Sequence, residues 1–379
     1  MSLCVPKICV LNKILIVWMT VVATLSCLGH SKSEFEAIFN FENSNSDTGR
    51  FWAAFLAQPG PYGMTYFKRP VGRATDGRLI VDFLAQALGL PFISPYLKSI
   101  GSDYKHWANY ATLASIVLLP NTSLFVTGIS PFSLAINEVP DSDCCCLELK
   151  RLPSLDIFGK SVYTFYIGQN DFTSNLAAIS VGGVKQYLPL VSQIAGTIKE
   201  LYTLGGRAFL VLNLAPVGCY PSFLAGLPPS ELDAFGCSIA YNKAVVDYNN
   251  LLKEALSQTR GSLPNASLVS LVYVDTSSVL LELFRHPTSH GLKYGTKSCC
   301  GHGGGTYNFD PQVFCGNTKV INGKPVTATA CSDPYNYVSW DGVHATEAAN
   351  KLTTLAILND TFSDPPFPLE QFCDLHGIA

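Results

Sequence analysis

Four nearly continuous apolar runs constrain the fold of this 379-residue chain more than any other feature: "EAIFNF" (36–41), "SVYTFYIG" (161–168), "RAFLVLNL" (207–214) and "SLVSLVYVD" (267–275). A strand with one wet face alternates apolar and polar residues. Runs this uniformly apolar suit strands buried on both faces, as in a parallel sheet covered by helices. The stretches between them carry helical periodicity. "RLIVDFLAQALG" stops at Gly89 and Pro91, and "VKQYLPLVSQIAGTIKELYTLGG" admits Pro189 in its first turns and ends at Gly205 and Gly206. "IAYNKAVVDYNNLLKEALSQ" and, near the C-terminus, "ATEAANKLTTLAIL" complete the set. Strand and helix alternate, which predicts an α/β fold: a three-layer α/β/α sandwich with a mostly parallel central sheet. Its working site should lie beyond the C-terminal ends of the strands. No linker or internal repeat interrupts residues 31–379, so one domain is expected there.

The first thirty residues differ from the rest. Lys7 and Lys13 precede or flank "ILIVWMTVVATLSCLG", and small residues follow near Ser26 to Gly29. This is the pattern of a secretory signal peptide, here spanning residues 1–30, with cleavage expected near Gly29 to Ser31. The alternative is an uncleaved anchor, but Thr and Ser interrupt the apolar stretch, so no stable membrane anchor is expected. Secretion in turn governs the thirteen cysteines: Cys4, Cys9 and Cys27 would leave with the signal, and most of the seven in the C-terminal half should pair as disulfides in an oxidising compartment. No two have the CxxC spacing of a zinc knuckle, which disfavours a zinc site. Sequons at Asn121, Asn265 and Asn359 suit a secreted glycoprotein. Charged residues are only 14% of the chain and the net charge is −3, which gives no electrostatic basis for nucleic-acid binding.

Chemistry concentrates just past the first strand, in "ENSNSDTG" (42–49), where Ser44 is placed as a nucleophile at the mouth of the sheet. A serine hydroxyl needs a base, and "SWDGVHATEAA" offers Asp341 and His344 three residues apart before the last helix. One turn can then hold the carboxylate on one ring nitrogen while the other faces outward. In isolation the pair also reads as a capping aspartate beside a surface histidine. "YIGQNDF" ends a buried strand with Asn170, whose side-chain N–H could serve an oxyanion, as could the Ser44 backbone N–H; an Asx-turn is the plainer alternative for Asn170.

Together these segments resemble the plant GDSL esterase/lipase family of the SGNH hydrolases over nearly the whole mature chain. The family block GDSNSDTG appears as "ENSNSDTG", a glycine before "ANYA" appears as "HWANYA", and "GQND" and "DGVH" are intact. "LNLAPVGCYP" matches a further family segment beside the site. The resemblance implies a secreted, extracellular hydrolase of carboxylic esters, taking a small-molecule or polysaccharide ester through an acyl-enzyme. Ser44 would attack, His344 would act as base and Asp341 would steady it, with no metal or organic cofactor needed. The oxyanion hole would draw on Ser44, Trp107 and Asn170, with Trp107 at the family's glycine.

Three departures bear on that reading. Glu42-Asn43 replaces Gly-Asp; Asn43 can keep the local hydrogen bonds, whereas the Glu42 carboxylate is expected to crowd the site and raise the pKa of His344. Trp107 brings an indole where glycine is usual, which would misalign one oxyanion donor and lower activity. Residues 136–154, with Cys144 to Cys146 adjacent, read as irregular loop. These leave two alternatives open: an impaired homologue that binds carbohydrate or ester without turnover, and a glycosidase on the same scaffold using two of Asp47, Asp171 and Asp341. "GHGGG" (301–305) has no GxSxG elbow to serve, and the pairing of His286 with His290 is disfavoured as a metal site by Pro287.

Overall fold

The computed structural model describes residues 35–54, 58–95, 107–118, 155–174 and 183–367. The signal segment, the 136–154 stretch and Asn121 lie outside the described residues. All four apolar runs form strands: β1 (Ala37–Glu42), β3 (Ser161–Tyr166), β4 (Ala208–Leu212) and β5 (Ser270–Val274). A three-residue strand, β2 (Trp107–Asn109), joins beside β1. Outside the sheet lie β6 (Tyr294–Ser298), which pairs with β9 (Tyr337–Ser339), and the exposed hairpin of β7 (Thr318–Ile321) and β8 (Lys324–Thr327). The short β10 (Ser363–Asp364) runs antiparallel along β5 and completes the order β10-β5-β4-β3-β1-β2, in which β2, β1, β3, β4 and β5 are mutually parallel.

The longer helices among the described residues are α1 (Ile80–Ala87), α2 (Leu188–Thr203), α3 (Ile239–Ser262), α4 (Thr276–Arg285) and α5 (Glu347–Leu358). Helices α2 and α3 pack on each other, and α5 packs on both α1 and α4. The helices thus fall into two groups flanking the parallel sheet, which explains why strands β1, β3 and β4 are buried at every position. Their aromatic residues stack across the ladder, with ring centroids 5.4 Å apart for both Phe39–Tyr163 and Phe41–Phe165.

The strand order 2-1-3-4-5 has its topological switch point between β1 and β3, because the chain leaves β1 to one side and returns on the other. A crevice opens beyond the C-terminal ends of strands that diverge in this way. Ser44 follows β1 and Asn170 follows β3, so both lie at that crevice.

Candidate active site

The turn after β1 is held by its own short side chains. Asn43 Oδ1 accepts the Asn45 N–H at 2.9 Å, and the Ser46 N–H closes on the Asn43 carbonyl at 3.1 Å. Asp47 then caps the short helix that follows, taking the Gly49 and Arg50 N–H groups on Oδ1, both at 2.7 Å. Its Oδ2 accepts the Leu113 N–H at 2.8 Å, which ties the turn to a second loop. Asn109, buried at the end of β2, strengthens this tie by donating to the Ser46 carbonyl and to Thr48 Oγ1. Ser44 is thereby presented on a turn whose backbone is braced from both sides.

The second loop, residues 112–118, is fixed from β3 as well. The Asp171 carboxylate accepts the Val117 and Leu118 N–H groups, and Asn170 Nδ2 donates to the Ser115 carbonyl at 2.7 Å. Burial pushes the Asp171 carboxyl up to about 6, and these backbone hydrogen bonds offset only part of that shift. Within the loop Ala114 has φ 65°, a left-handed conformation unfavourable for a residue with a Cβ. Neither the Ser44 N–H nor the Ala114 N–H donates to an acceptor among the described residues.

From the other end of the chain, Asp341 and His344 form a closed pair. Asp341 Oδ1 accepts the backbone N–H groups of Val343 and His344, and Oδ2 meets His344 Nδ1 at 2.8 Å. Gly342 between them has φ 98°, and a Cβ there would lie 2.5 Å from the Phe309 ring, so the tight turn needs glycine. Burial pushes the Asp341 carboxyl up, but the His344 charge and the hydrogen bonds from His344 and Val343 outweigh it, and the group sits below its ordinary value. His344 Nε2 is buried with no hydrogen-bond partner. The turn is anchored through α5: Thr346 caps that helix, the Glu347 N–H donates to Asp76 Oδ1 and Arg78 pairs with Glu347 at 2.7 Å.

These pieces meet in one cleft of about 920 Å³, lined by Ser44, Ala114, Asn170, Asp341 and His344. Its remaining walls are mostly apolar, with Phe51, Trp52, Phe223 and Phe314 prominent. Cys315, next to Phe314, is bonded to Cys300, and Cys299–Cys331 and Cys219–Cys237 are the other two disulfides among the described residues. A serine hydroxyl, a histidine–carboxylate pair and free N–H donors around one cavity are the groups that covalent acyl transfer requires.

The model of the GDSL-like Lipase/Acylhydrolase family matches residues 38–357. The chain belongs to that family. It is 63% identical to a GDSL esterase/lipase of Arabidopsis thaliana, covering 91% of this chain and 93% of the relative. It is 41% identical to an esterase of Hevea brasiliensis, over 90% and 89% of the two chains. An alpha-L-fucosidase 3 of Arabidopsis thaliana is 40% identical over 88% and 93%. Membership in the GDSL-like family supports an ester hydrolase.

Of the residues expected at the site of this GDSL-like chain, the structure brings Ser44, Asn170, Asp341 and His344 together and leaves the backbone of Trp107 apart. Trp107 pairs with Ile38, four residues before the end of β1, or about 13 Å down the strand. The loop that reaches the cleft starts past Asn109, and Ala114 is the residue of it that sequence reasoning missed. Its signal was present in the position of the loop after a strand, but alanine does not announce a positive φ as glycine does. Glu42 also differs from expectation. It does not line the cleft but is buried at the end of β1, where burial pushes its carboxyl up to about 8 and the nearby Ser46 and Thr164 hydroxyls offset little of this. Largely protonated at neutral pH, it offers little of the charge expected to act on His344. Asn43 keeps the turn's hydrogen bonds as its shape predicts. The two sequence decoys stay outside the chemistry: Gly303, Gly304 and Gly305 lie in an exposed turn, and His290 contacts Glu282 at 3.3 Å.

Proposed function

We propose that the protein is a secreted serine esterase in which Ser44, His344 and Asp341 form the catalytic triad. His344 Nε2 takes the Ser44 Oγ proton as Oγ attacks the ester carbonyl, and Asp341 holds Nδ1–H so that the ring presents the correct tautomer. The collapsing tetrahedral adduct leaves an acyl group on Ser44 and expels the alcohol, protonated by His344. His344 then activates water to release the acid. The Ser44 and Ala114 N–H groups and the second N–H of the Asn170 amide stabilise the oxyanion. The observation that carries this reading is the convergence of the paired His344–Asp341 and the unengaged N–H donors on the cleft that holds Ser44.

The aromatic and aliphatic walls favour a neutral ester with an apolar or aromatic acyl group. A glycosidase, the activity named for one relative, needs two carboxylates across a sugar bond. Asp47 and Asp171 are engaged by backbone N–H groups and Asp341 by His344, so the site favours the esterase. The position of the Trp107 backbone, away from the Ser44 turn, argues against an oxyanion hole impaired by that residue. Three disulfides suit an oxidising, extracellular destination. Hydrolysis of nitrophenyl esters from acetate to decanoate tests the reading: kcat/KM should rise about threefold per methylene until the cleft is filled. Activity on a nitrophenyl glycoside with none on any ester would overturn it.

A further inference from the structure

Tyr62 lies far from the triad in sequence, yet its phenol O–H donates to Asp341 Oδ2 at 3.3 Å. That oxygen is the one His344 Nδ1 meets at 2.8 Å. The Tyr62 ring is set edge-on against Trp340, the residue before Asp341, with centroids 5.9 Å apart. The segment around it is tied to the frame that holds the His344 turn: the Gly63 N–H donates to the Thr75 carbonyl and the Thr65 N–H to the Asp76 carbonyl, while Asp76 Oδ1 holds the start of α5. Burial and the Asp341 charge both raise the pKa of the phenol, so it stays protonated and can only donate to the carboxylate. Asp341 therefore receives four donors, two of them on the oxygen that faces the histidine.

We infer that Tyr62 is a positioning residue that sets the basicity of His344 through the carboxylate oxygen the two side chains share. This rests on the reading of His344 as the general base. A donor on Oδ2 draws negative charge from that oxygen and leaves less to stabilise the imidazolium. Without the phenol O–H, Asp341 would hold the His344 proton more firmly, and the base would become available only at higher pH. Among the described residues the other titratable groups near the pair are Tyr220, a buried phenol itself raised by burial and Asp341, and, further off, Glu42, which lies next to Tyr166 at the end of the sheet. Neither touches Oδ2, so the Tyr62 contribution is separable.

The test is Tyr62→Phe, which keeps the ring against Trp340 and removes only the hydroxyl. The kcat/KM profile for a nitrophenyl ester should show its acid limb moved up by about 0.5 to 1 pH unit, with KM at the optimum changed less than about twofold. A raised KM with the limb unmoved would make Tyr62 a substrate contact, and a lowered melting temperature with the limb unmoved would make it packing alone; either overturns the inference. The His344 ring titration, followed by NMR in the Ser44→Ala background with and without Tyr62→Phe, should show the same shift without any turnover. A wild type that hydrolyses no ester would sink the triad reading, and the ring titration would still decide the role of Tyr62.

Discussion

Replacing Glu42 with glutamine should stabilise the protein by an amount that grows with pH. The side chain is fully buried at the end of β1, and burial moves its pKa from 4.5 to about 8. Between those values the unfolded chain has released the proton and the native state has kept it, so stability falls as pH rises. Each pH unit in that window costs about 1.4 kcal/mol, so the native state has lost about 3 kcal/mol at pH 7 and nearly 5 kcal/mol above pH 8. Glutamine matches the protonated acid in shape and never ionises. Urea unfolding of both proteins at pH 5, 6, 7 and 8 reads the difference directly. The gap should be under about 1 kcal/mol at pH 5 and should widen to about 3 kcal/mol at pH 7. A gap that stays constant across this range would mean that Glu42 ionises alike in both states, and the argument for a buried neutral acid next to the Ser44 turn would fail.

Three other substitutions probe the 112–118 loop and the residues around it. Ala114→Gly should relieve the positive φ, raise stability by about 0.5–1 kcal/mol and leave kcat within about twofold, as read by thermal melting and ester hydrolysis. Trp107→Gly should not raise kcat, because the Trp107 backbone is paired well down the sheet; a large gain would return that residue to the oxyanion hole. Asp171→Asn keeps one acceptor for the Val117 and Leu118 N–H groups but removes the charge, and should lower kcat about tenfold with KM nearly unchanged.

Much of the scaffold was legible because burial imposes a pattern. The runs that became β1, β3, β4 and β5 are apolar nearly throughout, and the residues after β1 and β3 stood out as candidates from their polarity and position. What escaped was local or long-range. Strand β2 spans only Trp107–Asn109, too short for any periodicity, so its pairing with β1 could not be foreseen and Trp107 was assigned to the wrong depth of the sheet. The β7–β8 hairpin is mostly exposed and leaves no apolar signature. The contact between Tyr62 and Asp341 joins residues 279 apart in sequence, and the pairing of Cys300 with Cys315 and of Cys299 with Cys331 depends on a loop packing that spacing does not encode. Glu42 was recognised as a departure, but whether it would be charged depended on burial.

The central claim is that Ser44 carries the acyl group, and covalent trapping tests it most directly. The purified protein, treated with a fluorophosphonate, should gain one adduct on the peptide containing Ser44, and ester hydrolysis should fall in proportion to labelling. Ser44→Ala should take up no label and lose at least about 1000-fold in kcat. Ester hydrolysis at the wild-type rate by Ser44→Ala, or by protein fully labelled at another residue, would contradict the account.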